Sequence, residues 1–273
     1  MKINVDGIVY DPERARISVL DHGFLYGDSV YEVLRTRAGM LENFDEHFAR
    51  LENSARFIHL QLPHNAAFYR QEIEKTCSAL GATEASIRWI VTRGPGELSL
   101  SPLETEPGFV IIAQRLQANI IPPLVKLVIV RGMSSNQLGF DPRIKTGNRL
   151  PHVLAMYEVK QAGGYEGLLK TAEGILAEGI TSSLFFVRGN LLLTPSLETG
   201  ILNGVTRRQV LKAANEAGIP AQEGKFTEQD LLAADAVFIC SSTRGIVPAD
   251  QVDHHPYASR SNSILKRLYQ KLE

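Results

Sequence analysis

A chain of 273 residues with 44% apolar content is long enough for one large domain or two modest ones, each with a sizeable core. Its formal net charge of −1, with both signs dispersed, supplies no basic stripe or acidic tail, which argues against nucleic acid or a polyanionic partner. No run of eighteen apolar residues occurs and no apolar segment follows the positive start, so the expectation is a cytoplasmic protein without a membrane span.

Two cysteines, Cys77 and Cys240, lie far apart in apolar contexts and read as buried free thiols, not as a disulfide framework or a zinc site. Seven histidines are scattered, and the His254-His255 pair reads as surface. In chain order, KINVDGIVY alternates around Asp6-Gly7, a two-residue hairpin signal, and SVYEVLRTR is a second strand-like run, so the chain is expected to open with a β-meander. Phe44, Phe48, Leu51, Ala55 and Ile58 recur at helical spacing, and the segment after His64 keeps that period to a stop at Gly81. ASIRWIVTRG and GFVIIAQRL then read as strands that complete a small unit over residues 1–117.

Pro122-Pro123 makes residues 118–123 the linker candidate, because proline fixes an extended backbone and cannot continue a helix. Over 124–273, strand runs at LVKLVIV, EGLLK, ILAE, SLFFV, LLLT and AVFICS alternate with helical segments at 150–162, 206–217, 227–234 and 260–272. The fold class read from this is α+β in two domains, without internal repeats.

Five stretches could carry chemistry. In RIKTGNRLP, Lys145 is a turn lysine that is either solvated or a reactive amine. In TGILNGVTRRQVL a Gly-containing turn runs into a helix that Thr206 would cap, which is either an ordinary capped start or a phosphate cradle of unpaired N–H groups at the positive dipole end. Arg207 and Arg208 read as solvated. Glu178 precedes a cluster of small polar residues, as a turn residue or a half-buried acid; Arg50 sits beside an apolar helical stripe, where most arginines snorkel. The run CSSTRGIVP sets hydroxyls and Arg244 after an apolar strand. Taken together, a lysine for an aldehyde, a carboxylate for a ring nitrogen, and N–H groups, hydroxyls and an arginine for a phosphate are what pyridoxal phosphate requires.

The sequence resembles the class IV, fold-type IV pyridoxal-phosphate enzymes, which include D-amino-acid and branched-chain aminotransferases and aminodeoxychorismate lyase. The resemblance rests on LDHGFLYGDSVYEVLR, FDEHFARL, KTGNRL, AEGITSSLFFV, LTPSLETGILNGVTR and SSTRGIVP, in the family's order and spacing. It implies a small N-terminal α/β domain, a larger C-terminal pseudo-barrel domain carrying the lysine, pyridoxal 5'-phosphate in the cleft between them, and a homodimer. By position, Lys145 resembles the Schiff-base lysine and Glu178 the partner of the ring nitrogen. Arg50, Val205, Thr206 and Ser242 resemble the phosphate ligands, and Tyr31 lines the substrate side. Two departures stand out: Ser183 replaces an asparagine common after the Glu178 motif, and Leu98-Ser99-Leu100 stands where D-amino-acid aminotransferases place an Arg-x-His carboxylate trap. Arg35, Arg88 and Arg244, with Thr243 beside the last, are therefore the candidates for substrate binding. Transamination ranks first; the lyase, which Asn148-Arg149 resembles, ranks second.

Overall fold

A computed structural model describes residues 1–101, 105–117, 121–134, 141 and 143–272. Of the linker candidate, residues 118–120 lie outside the described residues. The chain divides into two compact units, one of Met1–Asn119 with Ile144–Arg149, the other of Ile120–Arg143 with Leu150–Glu273. Both mix helix and sheet.

In the first unit β1 (Lys2–Val5) and β2 (Ile8–Tyr10) form the expected hairpin, with Asp6 at φ 48° and Gly7 at φ 89°. Positive φ at both turn residues matches the twist of the flanking strands, and Asp-Gly tolerates it. Next come α1 (His22–Tyr26), β3 (Ser29–Arg37), β4 (Met40–Leu41), α2 (Phe44–Phe57), α3 (Ala66–Leu80), β5 (Ala85–Thr92) and β6 (Gly108–Arg115). Their sheet order is β2-β1-β6-β5-β3-β4, so the opening is not a meander. The connection from β2 carries α1 instead of a tight turn, and β6 inserts beside β1 while β3 pairs with β5.

The two-residue period of the strands sorts this sheet into two faces. Ala85, Ile87, Trp89 and Val91 of β5 are buried on the face covered by α2 and α3, where Trp89 packs against Phe44, Phe48 and Tyr69 with ring centroids 6.0, 6.1 and 4.5 Å away. Burying each such side chain stabilises the unit by about 1.5–3 kcal/mol. Tyr31 and Arg35 of β3 and Arg88 of β5 alternate onto the opposite face, with Val33 paired to Arg88.

Segment Ile144–Arg149, which carries Lys145, groups with this first unit. The cause is backbone pairing alongside β3. Val30 bridges Thr146 in antiparallel sense, Tyr31 N–H donates to the Lys145 carbonyl (3.1 Å), and Gly147 N–H donates to the Ser29 carbonyl (2.9 Å).

The second unit contains β7 (Lys126–Ser134), α4 (Leu150–Gln161), β8 (Glu166–Lys170), β9 (Leu176–Gly179), β10 (Ser183–Arg188) and β11 (Leu191–Pro195). After these come α5 (Val205–Glu216), β12 (Ala221–Gly224), α6 (Glu228–Leu232), β13 (Ala236–Ser241), β14 (Gly245–Ala249), β15 (Gln251–Val252), β16 (His255–Pro256) and α7 (Ser263–Leu272). Two five-stranded sheets result, β12-β11-β10-β13-β14 and β16-β15-β7-β8-β9. Parallel pairs occur where a helix crosses over, as α4 does between β7 and β8 and α5 between β11 and β12. Both cysteines are buried free thiols, and burial pushes Cys77 up to about 11 and Cys240 up to about 12. Among the described residues no helix is long and apolar enough to cross a membrane.

Candidate active site

In the first unit the candidates gather around Tyr31. The register that bridges Val30 to Thr146 sets Lys145 across from Tyr31, and the Lys145 Nζ stands 4.7 Å from the Tyr31 ring centroid. From β5, the Arg88 guanidinium lies 4.8 Å from the same centroid. Burial, the largest influence on the Lys145 amine, pushes it below the ordinary lysine value; Arg50 and Arg149 push the same way, while Tyr31 and Glu32 oppose. Burial raises the Tyr31 phenol, but the positive charges of Lys145, Arg149 and Arg88 outweigh this and hold it below its ordinary value.

Behind Tyr31, on the helix-facing side of β3, lies Glu32, which sequence reading missed. Its carboxylate is fully buried and accepts from Arg50 Nε and Nη2, both at 2.7 Å, and contacts His47 Nδ1 at 2.7 Å. Burial alone would raise this carboxyl; Arg50 and His47 hold it at about 2. Arg50 is therefore no snorkelling residue: its side chain is 10% exposed and pinned by two parallel bonds. The signal was present in the strand period, since Glu32 shares a face with Val30 and Leu34, both fully buried, and a carboxylate there needs a buried partner. Helix α2 supplies His47 and Arg50 three residues apart on one face.

One candidate on that unit, Arg35, stands apart. Arg35 pairs with Ser86 four residues along β3 from Tyr31, and its guanidinium is held by Glu84 at 2.9 Å and Glu42 at 3.5 Å. Arg88, by contrast, forms no ion pair with any described residue.

In the second unit, Glu178, the penultimate residue of β9, has both carboxylate oxygens 3.3 Å from the Leu202 N–H, in the segment that leads into α5. The cap of α5 is Gly204, without a side-chain cap bond, so the expectation that Thr206 caps this helix is corrected. Thr206 is the second helical residue, and its hydroxyl meets the Ser242 hydroxyl at 3.3 Å. A Cβ on Gly204 would stand 2.8 Å from the Ser183 Oγ, so a larger residue there would have to displace that hydroxyl. The twelve-residue α5 thus presents uncapped N–H groups at Val205 and Thr206 beside two hydroxyls. Arg207, read as solvated, is buried and bonded to the Pro195 carbonyl (2.8 Å) and Glu223.

Ser242, Thr243 and Arg244 share the turn between β13 and β14. Arg244 is occupied: Nη1 donates to Glu166 at 2.8 Å, Nη2 to Thr181 Oγ1 at 2.8 Å, and Nε to Ser241 Oγ at 3.0 Å.

Residues 29–252 match the family described as amino-transferase class IV. The chain belongs to this family. It is similar to a protein of Methanocaldococcus jannaschii provisionally named a branched-chain-amino-acid aminotransferase, 34% identical across 100% of this chain and 96% of that one. A branched-chain amino acid aminotransferase from T.th., solved with pyridoxamine 5'-phosphate, is 26% identical with a TM-score of 0.89 over 100% of this chain and 93% of that one. The 4-amino-4-deoxychorismate lyase of Pseudomonas aeruginosa is 32% identical with a TM-score of 0.82, covering 98% of this chain and 97% of that one. The class IV chain is thus an enzyme, and class IV aminotransferases use pyridoxal phosphate. Its donor set fits that cofactor: a desolvated lysine, a carboxylate fixed by a backbone N–H, and an uncapped helix start flanked by hydroxyls.

Proposed function

We propose that this enzyme transfers an amino group between an amino acid or primary amine and a 2-keto acid, of the D-amino-acid or branched-chain type. The observation that carries the reading is Lys145, whose amine is held below the ordinary lysine value and stands against the Tyr31 ring. We assign Lys145 to the cofactor aldehyde and Glu178 to the ring nitrogen. Val205, Thr206, Ser242 and Arg50 are assigned to the phosphate.

Pyridoxal phosphate, once bound, supplies an aldehyde and an electron-accepting ring. The Lys145 Nζ would carry a proton between the substrate α-carbon and the cofactor's aldehyde carbon, a task that suits an amine shed of its proton more readily than a solvated lysine. Glu178 holds a proton on the ring nitrogen. The two N–H groups and two hydroxyls at the start of α5 orient the phosphate. Tyr31 faces the substrate, and Arg88, uncommitted among the arginines weighed for this task, takes its carboxylate; Arg35 and Arg244 are already engaged. Arg149, which acts electrostatically on Lys145 and Tyr31, adds positive charge.

The same reading gives a small N-terminal domain, a larger pseudo-barrel domain, and a homodimer. Supporting the dimer, Leu150, Val153, Leu154 and Tyr157 of α4 are exposed at spacings that share one helical face. A second activity, release of pyruvate from aminodeoxychorismate, is favoured by the 32% identity to the Pseudomonas aeruginosa lyase. One experiment decides. The purified protein should absorb visible light with bound cofactor, borohydride should fix that cofactor to Lys145, and a panel of D- and L-amino acids, (R)-amines and aminodeoxychorismate should yield keto acid only with an acceptor present. Pyruvate from aminodeoxychorismate without a keto acid would reverse the ranking, and a colourless protein that takes up no pyridoxal phosphate would sink both readings.

A further inference from the structure

Glu166, the first residue of β8, is 1% exposed, and a carboxylate so buried is costly unless every lone pair finds a donor. Three donors meet it. Arg244 Nη1 lies 2.8 Å from Oε2, Thr181 Oγ1 2.6 Å from Oε2, and Thr181 N–H 3.2 Å from Oε1. Arg244 Nη2 returns to Thr181, 2.8 Å from Oγ1 and 3.2 Å from the carbonyl, and Nε reaches Ser241 Oγ. Its guanidinium also lies 5.8 Å from the Tyr165 ring centroid. A closed triangle of Glu166, Thr181 and Arg244 results.

The triangle joins three segments of the second unit: the start of β8, the turn after β9, and the turn after β13. Glu178 lies three residues before Thr181, and Ser242 two residues before Arg244. We propose that Glu166 and Arg244 are a positioning pair that fixes Glu178 and Ser242 relative to one another for cofactor binding. The inference rests on the assignment of Glu178 and Ser242 made above. Opposite charges cancel within the pair, so its effect is geometric. A planar guanidinium with donors in a fixed fork can hold a carboxylate, a hydroxyl and a carbonyl at once; the point charge of lysine cannot.

Arg244→Lys keeps the charge and removes the fork. Thr181→Val removes the bridging hydroxyl and keeps both the ion pair and the side-chain shape, which guards against a variant that fails to fold. For each, the dissociation constant of pyridoxal phosphate and the pH profile of the visible absorbance of the bound form are compared with wild type, beside the melting temperature of cofactor-free protein. Arg244→Lys is expected to raise the dissociation constant about tenfold or more and to displace the pH profile, and Thr181→Val to do the same by roughly a factor of three to five. Wild-type values of both in the two variants, with or without a lowered melting temperature, would overturn the pair and leave the cofactor assignment standing. Absence of pyridoxal phosphate binding by the wild type would overturn both.

Discussion

The surroundings of Lys145 and of Thr206 are built in opposite ways. Around Lys145 most groups are charged, and Glu32, His47 and Tyr31 are buried: Glu32 answers Arg50 and His47, and Tyr31 lies against Lys145 and the exposed Arg88. Around Thr206 the groups are nearly neutral, namely two backbone N–H groups, two hydroxyls and one glycine. Buried charges hold one another in place, and the loss of one leaves its partner exposed to the full desolvation penalty. A helix start with hydroxyls spreads the same task over many weak contributions. Substitution should therefore act nearly all-or-none in the first neighbourhood and by degrees in the second.

Lys145→Ala tests the sharp side most severely. Turnover should fall roughly 10³-fold or more, since both attachment to the cofactor and proton transfer are lost. The fold should survive, because the Lys145 backbone keeps its bonds to Ser54 Oγ (3.1 Å) and to Tyr31 N–H. Removing an amine that burial already disfavours should leave the melting temperature of cofactor-free protein unchanged or slightly higher. Steady-state rates and thermal melts measure the two halves; activity near wild type would mean that another amine does the chemistry.

Glu32→Ala should act on stability. Arg50 and His47 would lose the buried Glu32 charge, at a cost of about 3–5 kcal/mol, measurable by urea unfolding. Glu32→Gln should reveal the pH linkage. Its folded carboxyl sits at about 2 against an ordinary 4.5, so the depressed value adds stability that is fully present above pH 4.5 and lost as pH falls toward 2. The contribution is at most about 3 kcal/mol. In the Gln variant the acid limb of the stability profile between those values should flatten; an unchanged limb would show that Glu32 does not carry it.

What could be read from the sequence follows the same division. EGLLK and AVFICS emerged as strands because bounded apolar runs announce themselves, and β8 (Glu166–Lys170) and β13 (Ala236–Ser241) match them. β14, which contains Pro248, begins within the CSSTRGIVP stretch and lies at a sheet edge, where a missing N–H is tolerated. The five-residue α1 and the polar β12 are too short or too polar to show a period. Lys145, Glu178 and Thr206 stood out because local motifs surround them. Glu32 and Glu166 did not, because the residues that explain them come from 15 to 78 positions away. The opening meander failed for the same reason: the second partner of β1, after β2, arrives only with β6.

The smallest effect is expected at the start of α5. Thr206→Val keeps the β-branched shape and helix preference and removes the hydroxyl that meets Ser242. Because the N–H groups of Val205 and position 206 remain, cofactor affinity should weaken roughly fivefold, the worth of one hydrogen bond at about 1 kcal/mol. Turnover at saturating cofactor should stay within about a factor of two, since no proton passes through this hydroxyl. Ser242→Ala should act alike, and the double variant should cost less than the product of the two, because each single change already breaks their shared contact. Titration of cofactor-free protein with pyridoxal phosphate measures all three. A loss beyond about 100-fold at either position would mean that this clamp, like the charged cluster around Lys145, works only as a whole.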